Sequence, residues 1–356
     1  MCKKLSIVCF IVSLLSSTFV QAQTNYEWRI AETWPKDFPL FGDAVKKFIE
    51  NVALLSNNRL IIKSEARDVH KKPFGVFDMV KSGQYQMGHS ASFYWKEKDI
   101  NTSFFTSLPM GMTAIEQYGW FYHGGGQELM QKTYDKYGLM SFPGGNTGMQ
   151  MGGWFNKQIK TIEDLKGLKM RIPGLGGEVL KELGVETVNI PAGDLLLAHK
   201  TGKVDALEWV GPSMDVGMGF HTAAKYYYTG WHEPATELQF LINKKAFLAL
   251  PKDLQAIVKK SMRLAAYDTY IQAYHSNSEN LDVILNDHPN IIIRSFPPRV
   301  LSAILIKTVE VLNKLESSST DPLTREIVSS IKDYKGKVRQ WTRFSDAAYI
   351  NSTPGF

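Results

Sequence analysis

Strand-patterned and helix-patterned segments alternate from Tyr26 onward, and that order admits few architectures. Tyr26 to Ala31 reads as a strand, Trp34-Pro35 as a loop, and the run from about Leu40 to Leu55 as a helix. Arg59 to Ser64 resumes strand character, Phe74 to Ser82 is helical, and Met87-Gly88-His89 is a short strand. Strands alternating with helices signal a mainly parallel sheet with helices on its faces. The middle of the chain repeats the theme. Gly144-Gly145 precedes Met149 to Phe155, Ile162 to Gly167 leads into Leu168 to Ile172, and Gly176 to Leu183 resembles a helix. Two α/β lobes are expected, with the chain crossing between them at Gly144-Gly145 and at Gly230 to Pro234.

The length agrees, since 356 residues suit two lobes of about 100 to 200 residues each. From Lys252 onward the pattern becomes helix after helix. Asp321-Pro322 looks like an N-cap and first helical position, opening a helix to about Phe344. Its apolar positions Ile327, Ile331, Tyr334, Val338 and Trp341 form a narrow seam. A second copy of the chain or the chain's own lobes must cover it.

The N-terminus reads as an export signal: Lys3 and Lys4, an apolar run from Leu5 to Val20, and a Val20-Gln21-Ala22 cleavage site. The run is shorter than the roughly 20 residues of a spanning helix and carries several hydroxyl side chains. Cys2 and Cys9 are the only cysteines and both fall inside this segment, so the exported chain forms no disulfide and has no thiol chemistry. Removing Lys3 and Lys4 from 41 basic residues, against 35 acidic ones, leaves a mild positive excess with no basic run. A nucleic-acid partner is not expected.

Several fragments imitate catalytic motifs without completing them. Gly88-His-Ser-Ala-Ser92 lacks the last glycine of a nucleophile elbow, and His123-Gly-Gly-Gly126 follows it where an oxyanion-hole loop would precede; the glycines read as a loop. In Gly174-Leu-Gly176-Gly177, Val179 takes the place of the last glycine of a dinucleotide fingerprint. None of the eight histidines forms a zinc-binding pair, and they read as isolated structural or surface residues. Glu208 and Glu233 have the chemistry of a catalytic carboxylate pair, but their spacing does not bring them together.

Three segments carry a resemblance: Gly167-Leu-Lys-Met-Arg171-Ile-Pro-Gly, His199 to Trp209 with its Gly-Lys-Val-Asp-Ala-Leu-Glu-Trp ending, and Gly230-Trp-His-Glu-Pro234. They resemble the extracytoplasmic solute receptors of TRAP transporters, the tripartite ATP-independent periplasmic carriers (DctP-like). Met149-Gln150-Met151-Gly-Gly-Trp-Phe, Glu208-Trp209-Val-Gly-Pro212 and Gly88-His-Ser-Ala-Ser-Phe-Tyr94-Trp are similar to the subgroup that binds 2-oxo or 2-hydroxy monocarboxylates with a metal ion. Ser92-Phe93 departs from the subgroup's usual choices.

The resemblance implies a two-lobed periplasmic-binding-protein-like α/β fold with a hinge-spanning helix and a C-terminal helical extension. Residues 1–22 would be the signal, 23–147 lobe I with about 236–290 returning to it, 148–235 lobe II, and 300–350 the extension. It implies a periplasmic, non-enzymatic receptor that hands a pyruvate- or lactate-like acid, or in the alternative a dicarboxylate, to a membrane permease. Homodimers through C-terminal helices are also implied. By the same likeness Arg171 is the carboxylate anchor and Tyr94 a second carboxylate contact. Gln150, Glu208 and, through its main-chain oxygen, Trp209 match the cation ligands; Gln150, Trp209 and Glu233 join the substrate set. The chemistry agrees, because a guanidinium matches a carboxylate bidentately and an all-oxygen ligand set suits Na+ or Ca2+ rather than zinc. Trp34, Trp154, Phe155 and Trp231 suit a roof over the cavity and plain core equally well.

Overall fold

The computed structural model describes residues 24 to 353, and the expected export segment at 1–22 lies outside them. In chain order the strands are β1 (Tyr26–Glu32), β2 (Leu60–Glu65), β3 (Met87–Ser90), β4 (Leu139–Asn146), β5 (Gly153–Phe155) and β6 (Lys169–Arg171). They continue as β7 (Glu186–Val188), β8 (Ala206–Leu207), β9 (Tyr226–Tyr228), β10 (Glu237–Asn243) and β11 (Ile292–Arg294). They form two sheets, one in the order β2-β1-β3-β10-β4 and one in the order β11-β9-β5-β8-β6-β7.

Local sequence explains the first sheet. Trp28 and Ile30 of β1 point inward while Glu27 and Arg29 face solvent, the period of two of a strand with one covered face. The helix Phe41–Leu55 buries Phe41, Ala44, Val45, Phe48 and Val52, a helical period, and returns the chain so that β2 pairs parallel to β1. β10 arrives from the far side of the chain and pairs antiparallel to both β3 and β4. It is buried along nearly its whole length, so its two buried polar positions need partners. Glu237 takes the Gly144 and Gly145 amides at 2.9 and 3.0 Å, and Gln239 accepts from the Tyr134 hydroxyl at 2.7 Å.

Two short segments carry the chain between the sheets, residues 147–152 after β4 and 229–236 before β10, and they are tied to one another; a third crossing, from β10 to β11, runs through the helix Lys252–Asp287. Thr147 donates its amide to the Thr236 oxygen at 3.1 Å, and Gln150 to that of Glu233 at 3.0 Å. A Cβ on Gly230 would lie 1.8 Å from the Gln150 oxygen, so this approach demands glycine. Gly144 and Gly145, by contrast, sit inside β4 and not at the crossing, because Glu237 satisfies their amides within the sheet.

From Lys252 onward helix follows helix, as expected, and the first of them, Lys252–Asp287, has 36 residues and is about 54 Å long at 1.5 Å per residue. It rests on β4 and the helix Phe41–Leu55 at one end and on the segment Pro212–Gly217 at the other, so it spans both sheets. Small side chains let it lie close: Ala265, Ala266, Thr269 and Ala273 are buried, and Thr269 is packed against Gly145. After it comes β11, which the sequence reading missed; three residues are too few to establish a period.

The helix Pro298–Ser318 covers the second sheet with Val300 and Ile304, and Pro322–Phe344 returns to the first. Asp321 caps it as expected, its carboxylate accepting from the Leu323 amide at 2.9 Å. The seam divides. Ile327 and Ile331 are buried with Trp120 and Phe121, and Tyr334 packs on the same core, whereas Trp341 is 70% exposed. The glycines 124–126 are a helix junction, not a free loop: Gly125 adopts φ +87°, and a Cβ on Gly126 would meet the Trp120 ring at 2.6 Å. Among the described residues no helix is long and apolar enough to cross a membrane.

Candidate functional site

Between the two sheets lies a small cavity of about 30 Å³ whose walls include Tyr94, Gln150, Arg171, Glu208, Trp209 and Glu233. All six residues singled out from the sequence meet there, although they come from both lobes and both crossing segments. Arg171 ends β6, and Glu208 directly follows β8, the parallel neighbour of β6. Side chains at the carboxyl ends of adjacent parallel strands converge on the crevice beyond the sheet, which is where α/β proteins bind ligands. Gln150 stands on the first crossing segment and Glu233 on the second, held together by the hydrogen bond between their main chains. Tyr94 lies in a tight turn after β3, fixed by Ser92 donating to the Thr102 oxygen at 2.6 Å and by the Phe93 amide donating to the Thr106 hydroxyl at 3.2 Å.

Arg171 is buried and rigidly held. Nη1 donates to the main-chain oxygen of Glu208 at 2.6 Å and to its carboxylate at 3.0 Å, while Nε reaches the Ile190 oxygen at 3.4 Å. Its guanidinium carbon lies 5.0 Å from the centre of the Trp209 ring. Nη2 has no hydrogen bond among the described residues, so its two N–H donors are available.

Opposite this one cation stand two carboxylates. Burial pushes the Glu208 carboxyl up to about 8, against the pull of Arg171, and pushes that of Glu233 to about 7 with Glu208 adding repulsion. Burial likewise raises the Tyr94 phenol to about 12, leaving it a neutral donor. Gln150 donates its amide nitrogen to the Thr147 hydroxyl at 3.0 Å, which orients the side chain and leaves its oxygen buried without a partner. The main-chain oxygen of Trp209 accepts no hydrogen bond among the described residues either. Two unsatisfied oxygens beside two crowded carboxylates form a donor set for a hard cation, which would offset the excess negative charge.

His232, read from sequence as an isolated histidine, belongs here as well. Glu208, His232 and Glu233 each present a ligand atom within 4.8 Å of the others. His232 Nε2 is 3.2 Å from Glu208 Oε1, and burial lowers the ring to about 4, so it stays neutral. The turn also brings together Glu208 and Glu233, which sequence spacing left apart. Its signal in the sequence was Gly230, whose missing side chain lets the two crossing segments touch.

Asp215 was missed for a different reason: an acid in the first turn of a helix reads as solvated. Here it is buried, accepting from Trp154 Nε1 at 2.9 Å, the Tyr227 hydroxyl at 2.7 Å and the Val210 amide at 3.2 Å. It thereby holds the segment that follows Trp209. Of the four aromatic residues that suited either roof or core, Trp34 lines the cavity and the others are core. Trp154 stacks on Tyr227 with ring centres 3.9 Å apart, and Phe155 and Trp231 are enclosed in the core of the second lobe. Their apolar surface is consumed by packing behind the sheet.

A protein from Nostoc sp. strain PCC 7120, described as a monocarboxylate 2-oxoacid-binding periplasmic protein, is 36% identical over 92% of this chain and 89% of its own. A TRAP periplasmic solute-binding protein from Colwellia psychrerythraea, solved with calcium and pyruvate, is 56% identical and superimposes with a TM-score of 0.91 over 93% of this chain and 100% of its own. One from Pseudoalteromonas atlantica T6c, solved with sodium and pyruvate, gives the same identity, coverage and TM-score. The model of the bacterial extracellular solute-binding proteins, family 7 (DctP), matches residues 30–318, and the chain belongs to that family.

Proposed function

We propose that this protein is the periplasmic receptor of a TRAP-type transporter, binding a small 2-oxo or 2-hydroxy monocarboxylate together with Na+ or Ca2+ and delivering it to a membrane permease. The observation that carries the reading is the enclosure of Arg171, Glu208, Glu233 and the unpartnered Gln150 oxygen in one small cavity. The pyruvate and the calcium or sodium held by the two relatives at 56% identity support the same ligand class.

Arg171 would grip the ligand carboxylate through Nη2, with the neutral Tyr94 hydroxyl donating a further bond. Gln150, Glu208, the Trp209 main-chain oxygen and Glu233 would hold the cation; the last of these moves from the substrate set to the ligand set because of its closeness to Glu208. A bound cation supplies positive charge that lets carboxylates of protein and ligand share one low-dielectric space, and it offers a site for the 2-oxo or 2-hydroxy oxygen. Binding and release, without turnover, complete the task. Mass spectrometry of the small molecules released from protein purified under native conditions tests the reading; a C3 or C4 oxo or hydroxy acid is expected, and a dicarboxylate would displace it.

Assembly into a homodimer is part of the proposal. Trp341, Phe344, Tyr349 and Ile350 near the C-terminus are each at least 64% exposed, and Tyr274 on the long helix is 73% exposed. A cluster of large apolar side chains at one end of a chain calls for cover.

A further inference from the structure

We propose that Phe93 sets the length of acid this receptor accepts, acting as a wall between the ligand cavity and a larger chamber behind it. The inference rests on the carboxylate-binding reading above and adds to it a residue that discriminates among acids. Beside the 30 Å³ cavity lies a second one of about 240 Å³, lined by Ile172, Gly174, Glu178, Thr187, Val188 and Asn189 among others. Three residues line both: Phe93, Tyr94 and Pro173. These three are the partition.

Only one of the three is free of another duty. Tyr94 offers its hydroxyl to the ligand, and Pro173 ends the strand segment that aims Arg171. Phe93 brings a bare ring. Its amide bond to Thr106 fixes the main chain, and the ring stands edge-on to Tyr94 at 4.8 Å. Across the cleft it faces Gly174, where even an added Cβ would only just reach van der Waals distance of the ring, at 3.5 Å. Behind it the larger cavity has a mixed lining, in which Ile172 and the half-exposed Val188 stand beside Thr187, Asn189 and two pairs of opposite charges. Its cations are already engaged: Lys96 is 2.6 Å from Glu178, and Lys181 is 3.3 Å from the same carboxylate. With Glu97 and Glu178 balancing both lysines, no cation is left for a second carboxylate, and the cavity suits an uncharged tail.

The substrate class behind the wall is thus a 2-oxo monocarboxylate with an extended apolar tail, excluded by Phe93 in the native protein. The test is calorimetric titration of the mature protein and of Phe93→Ala and Phe93→Leu, with calcium present, using pyruvate, 2-oxohexanoate and 2-oxoadipate. The wild type should prefer pyruvate. In Phe93→Ala the affinity ratio of 2-oxohexanoate to pyruvate should rise at least tenfold, about 1.4 kcal/mol, with Phe93→Leu between and 2-oxoadipate gaining less. An unchanged ratio in variants that still bind pyruvate overturns the wall and leaves the receptor reading intact. So does loss of all binding in both folded variants while the wild type binds. A wild type that binds none of these acids overturns the receptor reading, and the wall with it.

Discussion

Arg171 Nη1 lies 2.6 Å from the main-chain oxygen of Glu208 and 3.0 Å from its carboxylate, so the proposed anion anchor and a proposed cation ligand form one buried unit. Neither can change without disturbing the other. Replacing Arg171 removes the fork and also leaves Glu208 buried without its partner.

Arg171→Ala should weaken binding of pyruvate by roughly ten- to a thousandfold, since a charge-assisted hydrogen bond contributes about 1.5–3 kcal/mol and an orphaned buried charge adds to the loss. Arg171→Lys should restore little of it, because charge without the planar fork satisfies neither oxygen pair. Titration followed by intrinsic tryptophan fluorescence reads both, and wild-type affinity in either variant would contradict the anchor.

Cation and acid should bind with positive coupling. Protein dialysed against a chelator is expected to bind pyruvate at least tenfold more weakly than protein resupplied with calcium or sodium, a coupling of about 1.4 kcal/mol. Glu208→Gln should lower affinity for both partners, and reciprocity requires the acid to raise cation affinity by the same factor. Equal pyruvate affinity with and without cation would remove the metal from the site.

His89 gives a test independent of ligand. Its Nδ1 accepts from Trp34 Nε1 at 3.0 Å, which leaves Nε2 to carry the proton and donate to the Gly144 oxygen at 2.9 Å. Burial lowers the ring from 6.5 to about 4. With the folded value depressed, the unfolded chain binds more protons at this ring between those values, so its own contribution to stability is full above pH about 6.5 and is lost as pH drops towards 4, by about 3 kcal/mol in all. Nitrogen-detected NMR should find the Nε2–H tautomer and a midpoint near 4; a midpoint near 6.5 would contradict the buried setting.

Light scattering of the mature protein should report a dimer at micromolar concentration. Truncation at Asp321 is a poor test, because Ile327, Val328 and Ile331 complete the core of the first lobe and their removal would destabilise it. Paired substitutions Trp341→Glu and Phe344→Glu touch only exposed positions and should yield a folded monomer. A monomeric native protein would refute the assembly.

Some of this was legible from residues alone. Alternating strand and helix periods along 26–90 determined a parallel arrangement, since a side-chain period of two or 3.6 decides which face of each element is buried. Arg171 was singled out by its motif, and its chemistry suits an anion wherever the chain places it. Gly230 was visible as turn-prone, though what needed the glycine, a main-chain oxygen lying 1.8 Å from any Cβ, was not.

The tertiary structure alone decided how distant residues converge. Glu208, His232 and Glu233 meet because β8 and the second crossing segment end at the same crevice, and the sequence pattern of one strand carries no record of its neighbour's end. The same holds for Trp154, an aromatic residue that suits a ligand roof as readily as a core until Tyr227 and Asp215 are seen to occupy its faces and its nitrogen. For the seam at Ile327 and Ile331, periodicity established only that a stripe must be covered. Which surface covers it depends on where the chain's own Trp120 and Phe121 lie, a long-range fact that only packing fixes.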